Sequence, residues 1–527
     1  MAKKTIKGTG KPYTGTPKAD TLTVIGKNNT VSGAKGNDKI TVSKGSGHKI
    51  YGHAGNDTII VKAATGSKIY GDDAKGKIAG KDKITINGGK NNTIYGGKGA
   101  DTITVNKGSS TIYGGKGNDV FVIGENSTGK AVVKDFRSQS GNFDRVKVSG
   151  GEVKNIKFSK QNVIIAGGKS GSLTLTGAKS RTVFITDTNG EYKITPASGV
   201  EITLKKNYTG PYYAPSFVDN IDVQTVGGTV RGNAKKNQIK AAWKDGGTYQ
   251  GGGGDDVIHA ETGSNHYIYG DDESGTSKGN DKITVNGGNG HHIYGQYGDD
   301  TITVKAGAEH DISGGDGIDI ISVTNGHSHE IKGGDGNDKI TLNYVKGNGN
   351  QTSYVYGGDG TDTIIVKNSS DVYVCGQNDI GHYTLENSSN VKVQSDGDYG
   401  TFNVKSCTDT RVRLSSTSGN NVNKVTVSGT GNSVTIEQVV NAKDDITVTW
   451  SDGFGKLTIE SSRLNDSKYA DRLYIDKATI DFNFRRESND LRILGKFGGE
   501  ICIKSYYSNG GEMSFVNGIT FSNTVYK

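Results

Sequence analysis

The chain has 527 residues, of which 81 are glycine, five are proline and 31% are hydrophobic. This composition excludes one thick globular core and favours short strands joined by tight turns, in a thin solenoid whose coils each bury a few residues. The net charge of +8 is uneven, because residues 1–225 carry 34 Lys and Arg against 17 Asp and Glu, whereas residues 226–527 carry 29 against 38. The basic half is either a solvated lysine coat or a surface that attracts anionic polymers, such as lipopolysaccharide or acidic glycans.

Several other classes are disfavoured by the sequence. No run of 18 apolar residues is present, so we expect no membrane span. The start, MAKKTIKGTGKPYTG, has no apolar segment of the kind found in Sec-type signal peptides. No recognised nucleic-acid-binding motif accompanies the lysines, so we expect no nucleic-acid partner. Cys375, Cys407 and Cys502 are odd in number and far apart, and they form neither a disulfide framework nor a CxxC metal site.

A nine-residue repeat dominates the chain and is clearest at Gly114–Val122, GGKGNDVFV. Its form is G-G-x-G-x-D-x-U-x, in which U is a large apolar residue. Glycine allows positive φ, so that backbone carbonyls can point at one spot, and the aspartate adds charge there. The apolar residue begins a strand. Further copies are GAKGNDKIT from Gly33, GHAGNDTII from Gly52, GGKGADTIT from Gly96, GGGGDDVIH from Gly251, GGDGIDIIS from Gly314, GGDGNDKIT from Gly333 and GGDGTDTII from Gly357.

These copies resemble the RTX nonapeptide family, the calcium-binding β-rolls of bacterial proteins exported by type I systems. The resemblance implies an all-β fold with two parallel β-roll (β-solenoid) blocks, each followed by β-rich capping segments. It also implies Ca²⁺ held between successive coils by backbone carbonyls and the sixth-position aspartate. The implied ligands are Asp38, Asp57, Asp82, Asp101, Asp119, Asp256, Asp281, Asp300, Asp319, Asp338 and Asp362. Asp20 and Asn237 lie in poorer copies, where we expect a coil with weak metal binding or none.

The spacing of the sixth-position aspartates predicts the coil length. Most steps are 18 or 19 residues, which is two nonapeptides, and only one of the two turns has the full motif. We therefore expect calcium along one edge only. The steps from Asp57 to Asp82 and from Asp256 to Asp281 are 25 residues, and their matching insertions indicate duplication. The acidic residues there either add an ion site or form a solvated loop, and we expect the loop; they are Asp72, Asp73, Asp271 and Asp272.

The chain order predicts six segments. Residues 124–198 contain alternating strands without nonapeptides, and we expect them to cap the open sheet edges of the first roll. Beyond Asp362 the strands persist while most sixth-position carboxylates disappear. The predicted segments are a first roll (1–123), a β-rich cap (124–198), a linker (199–225), a second roll (226–366), a degenerate calcium-poor solenoid (367–470) and a C-terminal cap with a type I secretion signal (471–527).

The turn opposite the calcium line has its own sixth-position column. It holds Asn29, His48, Ser67, Asn92 and Ser110, and then His266, His291, His310 and His329. Three explanations remain for the histidines: a polar ladder, a transition-metal site, or a pH response through lowered pKa values. A tyrosine column next to a buried position predicts an aromatic ladder, used for packing or for glycan stacking. It contains Tyr51, Tyr70, Tyr95, Tyr113, Tyr269, Tyr294 and Tyr356.

We expect no enzyme. No HExxH motif occurs, and the one GxSxG match, Gly275–Gly279, lies in an inserted loop rather than on a strand-to-helix elbow. The predicted function is that of a secreted or cell-surface calcium-binding protein with a structural or adhesive role, with anionic glycans or further copies of itself as partners. The alternatives are a polysaccharide lyase or epimerase and a bare calcium-binding spacer. Because metal binding is coupled to folding, we expect disorder at micromolar calcium and order at millimolar calcium.

Overall fold

The structure is a computed structural model that describes residues 2–139, 142–195, 199–204, 211–223, 228–241, 245–274, 277–347, 350–377, 381–395, 400–414, 422–438, 443–449, 453–460, 472–476, 482–495, 498–504 and 519–521. The chain divides into two compact units. Unit 1 comprises Met1–Tyr208 and Tyr212–Thr225, and unit 2 comprises Thr209–Pro211 and Val226–Lys527. Residues 205–210 and 224–225 of the predicted linker, and 505–518 and 522–527 of the predicted secretion signal, lie outside the described residues.

Unit 1 is a parallel β-solenoid in which each coil gives one strand to each of two sheets. Sheet 1 contains Lys3–Ile6, Thr21–Lys27, Lys39–Ser46, Thr58–Val61, Ala64–Thr65, Lys83–Ile86, Thr102–Val105, Val120–Ile123, Arg145–Val148, Val183–Thr186, Gly190–Thr195, Gly199–Leu204 and Asn220–Asp222. Sheet 2 contains Pro12–Thr14, Thr30–Lys35, Lys49–Ala54, Lys68–Tyr70, Asn92–Lys98, Ser109–Lys116, Lys130–Val133, Val153–Ser159, Asn162–Gly167 and Gly171–Leu175. Smaller elements are the strands Ser138–Gln139, Asn142–Phe143 and Tyr212–Tyr213 and the 3₁₀ helix Ala178–Ser180.

Unit 2 is also a parallel β-solenoid with two sheets. Sheet 3 contains Gln238–Lys240, Val257–Ala260, Lys282–Val285, Thr301–Val304, Ile320–Thr324, Lys339–Asn343, Asp362–Lys367, Gly381–Glu386, Gly400–Lys405, Val422–Ser428, Lys443–Thr449, Arg472–Asp476 and Ile519–Phe521. Sheet 4 contains Gly228–Arg231, Gly247–Gln250, Tyr267–Tyr269, His292–Tyr297, Asp311–Asp316, Glu330–Asp335, Ser353–Asp359, Ser370–Cys375, Ser389–Ser395, Thr410–Leu414, Asn432–Gln438, Gly455–Glu460, Phe482–Glu487, Asp490–Gly495 and Glu500–Ile503.

The core follows from the alternation of residues along each strand. In Thr102–Val105, Ile103 and Val105 point inward and are buried, while the two threonines lie on the solvent side. Equivalent residues of successive coils pair in register, so that Ile84, Ile103 and Phe121 form one buried column. Each coil therefore buries only a few side chains, as the low hydrophobic content predicts, and stacking against neighbours makes the core continuous.

The segment predicted as a cap combines two kinds of structure. Lys130–Val133 and Arg145–Val148 pair in parallel with the preceding coil and extend the solenoid past residue 123. Antiparallel pairs follow, beginning with Val153–Ser159 and Asn162–Gly167. Antiparallel strands also occur at Phe482–Glu487 and Asp490–Gly495 in unit 2. Among the described residues, no helix is long and apolar enough to span a membrane.

Candidate metal site

The sixth-position residues of the glycine-rich turns form one hydrogen-bonded column in each unit. Each turn leads from sheet 2 into sheet 1, or from sheet 4 into sheet 3. The carboxylate Oδ1 of one coil accepts the backbone N–H of the sixth-position residue one coil earlier, as when Asp101 accepts from Asp82 at 2.8 Å. The column in unit 1 runs through Asp20, Asp38, Asp57, Asp82, Asp101, Asp119 and Asp144. The column in unit 2 runs through Asn237, Asp256, Asp281, Asp300, Asp319, Asp338 and Asp362.

The second oxygen of these carboxylates distinguishes the middle of each column from its ends. In ten members Oδ2 is buried and has no hydrogen-bond partner: Asp38, Asp57, Asp82, Asp101, Asp119, Asp256, Asp281, Asp300, Asp319 and Asp338. A buried acceptor without a partner is destabilising unless something else satisfies it. Five such atoms lie in register in each unit, and they therefore indicate a ligand at each of these middle positions.

The first glycine of each motif lies against the Oδ2 atom of the sixth-position aspartate, where a side chain would not fit. A Cβ built on Gly33 would collide with Asp38 Oδ2 and lie 2.8 Å from the carbonyl oxygen of Gly52, which belongs to the next coil. The same pair of oxygens, one carboxylate and one carbonyl from the following coil, surrounds Gly295. Carboxylate and carbonyl oxygens are the ligands that Ca²⁺ prefers. The donor set thus fits calcium, and the glycine is required because a side chain would fill the cradle.

The electrostatics of the column also favour a bound cation. Burial is the largest cause that raises the pKa of the ten carboxyl groups, to values from about 6 at Asp38 to about 9 at Asp300. The backbone N–H bond opposes this shift, and neighbouring carboxylates reinforce it in most members. Without a cation, the ionised column is therefore unfavourable at neutral pH.

The ends of the columns differ from the middle. Asp20 Oδ2 accepts the Thr16 N–H at 2.6 Å, and Asp144 Oδ2 accepts the Arg137 N–H at 2.8 Å. Asn237 Oδ1 accepts the Asn233 N–H in the same way. The turns at Asp20 and Asn237 are thus closed by protein donors, in line with the expectation of weak or no metal there.

Asp144 ends the column in unit 1, but it was not among the sixth-position aspartates identified in the sequence. Its signal is present, however, since Asp144–Val148 repeats the D-x-U-x pattern and lies 25 residues after Asp119, like the two longer coils. Among the described residues, no three His, Cys, Asp or Glu side chains are grouped closely enough to hold an ion by themselves. Any ion therefore depends on backbone carbonyls as well as on the aspartates, whose role as ligands stays a prediction.

Comparison with known proteins identifies the repeat. The family model described as RTX calcium-binding nonapeptide repeat matches residues 14–47, 49–62, 86–121, 246–274 and 352–372. The chain carries RTX calcium-binding repeats. This match confirms the resemblance seen in the sequence and the calcium cofactor, and the observed sheets confirm the all-β parallel solenoid; the division into two roll blocks stays a prediction. A search of curated proteins gave no match.

Two solved structures have a distant similarity to the chain. The chain is similar to the extracellular lipase LipA of Serratia marcescens, with 11% identity over 88% of this chain and a TM-score of 0.12, and it spans 45% of the lipase. It is similar to the Gp54 tailspike of Acinetobacter baumannii bacteriophage AP22, solved with a capsular saccharide, with 10% identity, 78% of this chain, 77% of the tailspike and a TM-score of 0.16. Neither likeness is close enough to carry an argument.

The expectation that the four aspartates of the two long coils lie in solvated loops was wrong for three of them. Asp72 and Asp271 are fully buried, and Asp272 is 1% exposed. Asp272 pairs with Arg231 and accepts the hydroxyl of Ser277, the serine of the GxSxG match. Gly275 and Thr276 of that match lie outside the described residues.

The opposite edge of the RTX solenoid repeats the ladder with neutral groups. Ser67 accepts the His48 N–H at 3.1 Å, and Asn92 accepts the Ser67 N–H at 3.0 Å. In unit 2, Nδ1 of His310 accepts the His291 N–H at 3.2 Å. The rings of His266, His291, His310 and His329 stack with centroids 5.0 to 5.1 Å apart.

The hydrogen bonds of these histidines assign their tautomer. Because Nδ1 accepts a backbone N–H, the proton lies on Nε2, which faces the carbonyl oxygen four residues earlier: Gly287 for His291 and Asn325 for His329. Both ring nitrogens are used, so His291 and His329 have no lone pair for a transition metal. Burial lowers the pKa of His310 to about 3 and that of His329 to about 4.

Where the carboxylates end, aromatic rings fill the same edge. Tyr383 and Phe402 continue the buried column of Ile364, and their rings stack 4.7 Å apart. A Cβ on Gly381 would collide with the Tyr383 ring, and one on Gly400 would lie 2.8 Å from the Phe402 ring. The rings reach the turn that the carboxylate occupies in earlier coils. This explains physically how residues 367–414 extend the solenoid without the acidic column.

The tyrosine ladder is present in unit 1. Tyr51, Tyr70, Tyr95 and Tyr113 stack with centroid distances of 4.9, 4.7 and 5.0 Å. Both faces of Tyr70 and Tyr95 are covered by neighbouring rings, so these two offer ring edges and hydroxyls rather than faces. In unit 2 the tyrosines stop stacking after Tyr294, whose hydroxyl donates to Asp311.

Proposed function

We propose that the chain is a non-catalytic, exported protein that folds when its RTX repeats bind extracellular calcium, and that it then has a structural or adhesive role at a surface. The observation that carries this proposal is the set of ten buried carboxylate oxygens without partners, five in the column of each unit. A column of this kind makes folding depend on a cation that is scarce inside cells and abundant outside.

The proposed partner is an acidic polysaccharide that binds unit 1. Residues 1–225 contain 34 basic against 17 acidic residues. Lys49 and Lys68 occupy neighbouring coils on the solvent side of sheet 2, beside Tyr51 and Tyr70 of the tyrosine ladder. Ammonium groups attract uronate or phosphate, and the tyrosine hydroxyls can hydrogen-bond sugar hydroxyls.

Binding to immobilised polygalacturonate tests this partner, with neutral dextran as the control polymer. We expect retention of the calcium-loaded chain on polygalacturonate and weaker retention for Lys49→Gln/Lys68→Gln. The matched control Lys39→Gln/Lys83→Gln removes two lysines from sheet 1 and should bind like the wild type. Equal retention on polygalacturonate and on dextran would contradict the proposal that the partner is an acidic polysaccharide.

The same incubation addresses catalysis. A polysaccharide lyase releases unsaturated uronates that absorb near 235 nm, whereas the proposed structural protein leaves the polymer intact. Growth of that absorbance with the wild-type chain would replace the proposed function with the enzymatic alternative.

A further inference from the structure

The two long coils carry a buried carboxylate that the regular repeat lacks. Asp72 occupies the second position of its turn, between Gly71 and the insertion, and Asp271 occupies the same place 199 residues later. Both side chains are 0% exposed, and in each the Oδ1 atom is buried without a hydrogen-bond partner. The same arrangement therefore occurs once in each unit.

The other oxygen of this carboxylate replaces a backbone carbonyl. In a regular turn, the second-position carbonyl faces the second-position glycine of the next coil, as Gly97 O faces Gly115. At Asp72, it is Oδ2 that faces Gly97, and this oxygen accepts the Lys98 N–H at 2.7 Å. Asp271 Oδ2 likewise accepts the Tyr297 N–H at 3.2 Å.

The backbone conformation at Asp72 and Asp271 also differs from that of a regular second position. Regular second positions have positive φ, for example 104° at Gly115 and 81° at Gln296, whereas neither Asp72 nor Asp271 does. The insertion thus changes the turn, and a side chain stands where the peptide carbonyl would be.

The Oδ1 atom of Asp72, which has no hydrogen-bond partner, lies near the column of sixth-position aspartates. An ideal Cβ on Gly80 would lie 3.2 Å from Asp72 Oδ1 and 2.9 Å from Asp82 Oδ1, and it would collide with the carbonyl oxygen of Gly55. In unit 2, an ideal Cβ on Gly279 would lie 2.9 Å from Asp281 Oδ1 and would collide with Gly254 O. Two carboxylates and a carbonyl from another coil therefore converge at the long turn of unit 1.

We propose that Asp72 and Asp271 are calcium ligands that add a carboxylate to one site in each unit, beside Asp82 and Asp281. A calcium site gains affinity with the number of charged oxygen ligands. These two sites are then the tightest in their units and fill first as calcium rises. The inference rests on calcium binding within the proposed function and not on the polysaccharide partner.

The test is equilibrium dialysis of the full chain against radioactive calcium, for the wild type, Asp72→Asn, Asp271→Asn and the double variant. Asparagine keeps the shape and can still accept the N–H of Lys98 or Tyr297. We expect each substitution to remove one ion from the tightest class, with affinity for that ion at least about tenfold weaker.

Two controls remove a nearby charge without touching the convergent oxygens. The first control is Asp73→Asn, in which the altered side chain is the one that accepts the Lys77 N–H, beside Asp72. The second control is Asp316→Asn, which alters an exposed residue of a regular turn in unit 2. Both controls should keep the wild-type number of tight ions.

Three other results would contradict the inference or the proposed function. Variants that bind like the wild type would overturn the inference, as would variants that lose thermal stability in calcium but keep the wild-type number of tight ions, since that pattern indicates a structural role. A wild-type chain that binds no calcium would overturn the proposed function itself, and the inference with it.

Discussion

The two edges of the solenoid use one hydrogen-bond design with different chemistry. On both, the sixth-position side chain accepts the backbone N–H of the equivalent residue one coil earlier, through Asp on one edge and through Asn, Ser or His on the other. On the opposite edge the remaining polar atoms of Asn92 and His291 also find partners, whereas Ser110 Oγ does not. On the aspartate edge the second oxygen of Asp300 has none.

This difference separates the hydrogen-bond acceptor that the ladder needs from the charged oxygen that a calcium ion needs. An acceptor at position six closes the ladder on either edge, and it can be neutral. The charge and the partnerless oxygen add nothing to that ladder, and they are destabilising in a buried site unless a cation is present. We therefore expect the aspartate edge to be the edge that makes folding depend on calcium.

The largest expected effect comes from exchanging the aspartate edge for its neutral counterpart. Asp281→Asn/Asp300→Asn/Asp319→Asn keeps the acceptors but removes three charged ligands. We expect the calcium concentration that folds unit 2 to rise by more than about tenfold, because three of its charged ligands are lost. Hydrogen exchange with peptide resolution reports unit 2 within the full chain.

The matched control makes the same number of changes on the other edge, with His291→Asn/His310→Asn/His329→Asn. Its calcium midpoint should stay at the wild-type value at pH 7.5. Equal midpoints for the two triple variants would remove the distinction between the edges.

Much of this comparison can be predicted from the sequence. The period of 18 or 19 residues and the glycine motif predict the coil and the aspartate line, because each turn repeats one local backbone pattern. The opposite column is also predictable as a polar ladder, from the alignment of residues such as Asn92 and His310. The stacked tyrosines follow from strand alternation.

Other features depend on contacts that no single repeat encodes. The burial of Asp72 arises because the insertion redirects its turn over Gly97 of the next coil. The replacement of the acidic column by Tyr383 and Phe402 requires knowledge of how far a ring in the core reaches. The histidine tautomer depends on a carbonyl four residues away. Local patterns predict the ladder, whereas these features are set by neighbouring coils.

The next effect is a pH response confined to the histidine edge at saturating calcium. The folded pKa values of His310 and His329 are lowered to about 3 and about 4, below the usual value near 6.5. The unfolded chain then binds more protons in acid, so stability is fully present above about pH 6.5 and falls as the pH drops below it. Each of the two histidines should lower the free energy of unfolding by about 1–2 kcal/mol at pH 5.

Melting at pH 5 and pH 7.5 measures this response, in the wild type and in His266→Asn/His291→Asn/His310→Asn/His329→Asn. Asp245, His292 and His327 also act on this column, so they stay unchanged in both proteins. We expect the asparagine variant to lose much of the acid sensitivity of unit 2. The same pH dependence in both proteins would leave the histidines a purely structural role.

A smaller effect comes from placing a carboxylate on the opposite edge. In Asn92→Asp, Oδ1 still accepts the Ser67 N–H, but the donor to the Ala64 carbonyl is lost. A buried carbonyl and a buried charge are then left without partners, and we expect a loss of about 1–3 kcal/mol. Calcium should not restore it, because the neighbouring members of this column, Ser67 and Ser110, supply no second charged ligand. Asn92→Ser, which copies Ser110, is the control; full rescue of Asn92→Asp by calcium would contradict the account.

The central claim is that calcium completes the aspartate edge, and far-ultraviolet circular dichroism of the wild-type chain during a calcium titration tests it most directly. We expect little β signal at micromolar free calcium, a cooperative gain at millimolar calcium, and no comparable gain with magnesium, which demands a stricter octahedral geometry. A full β spectrum that persists unchanged in excess EGTA at neutral pH would contradict the claim.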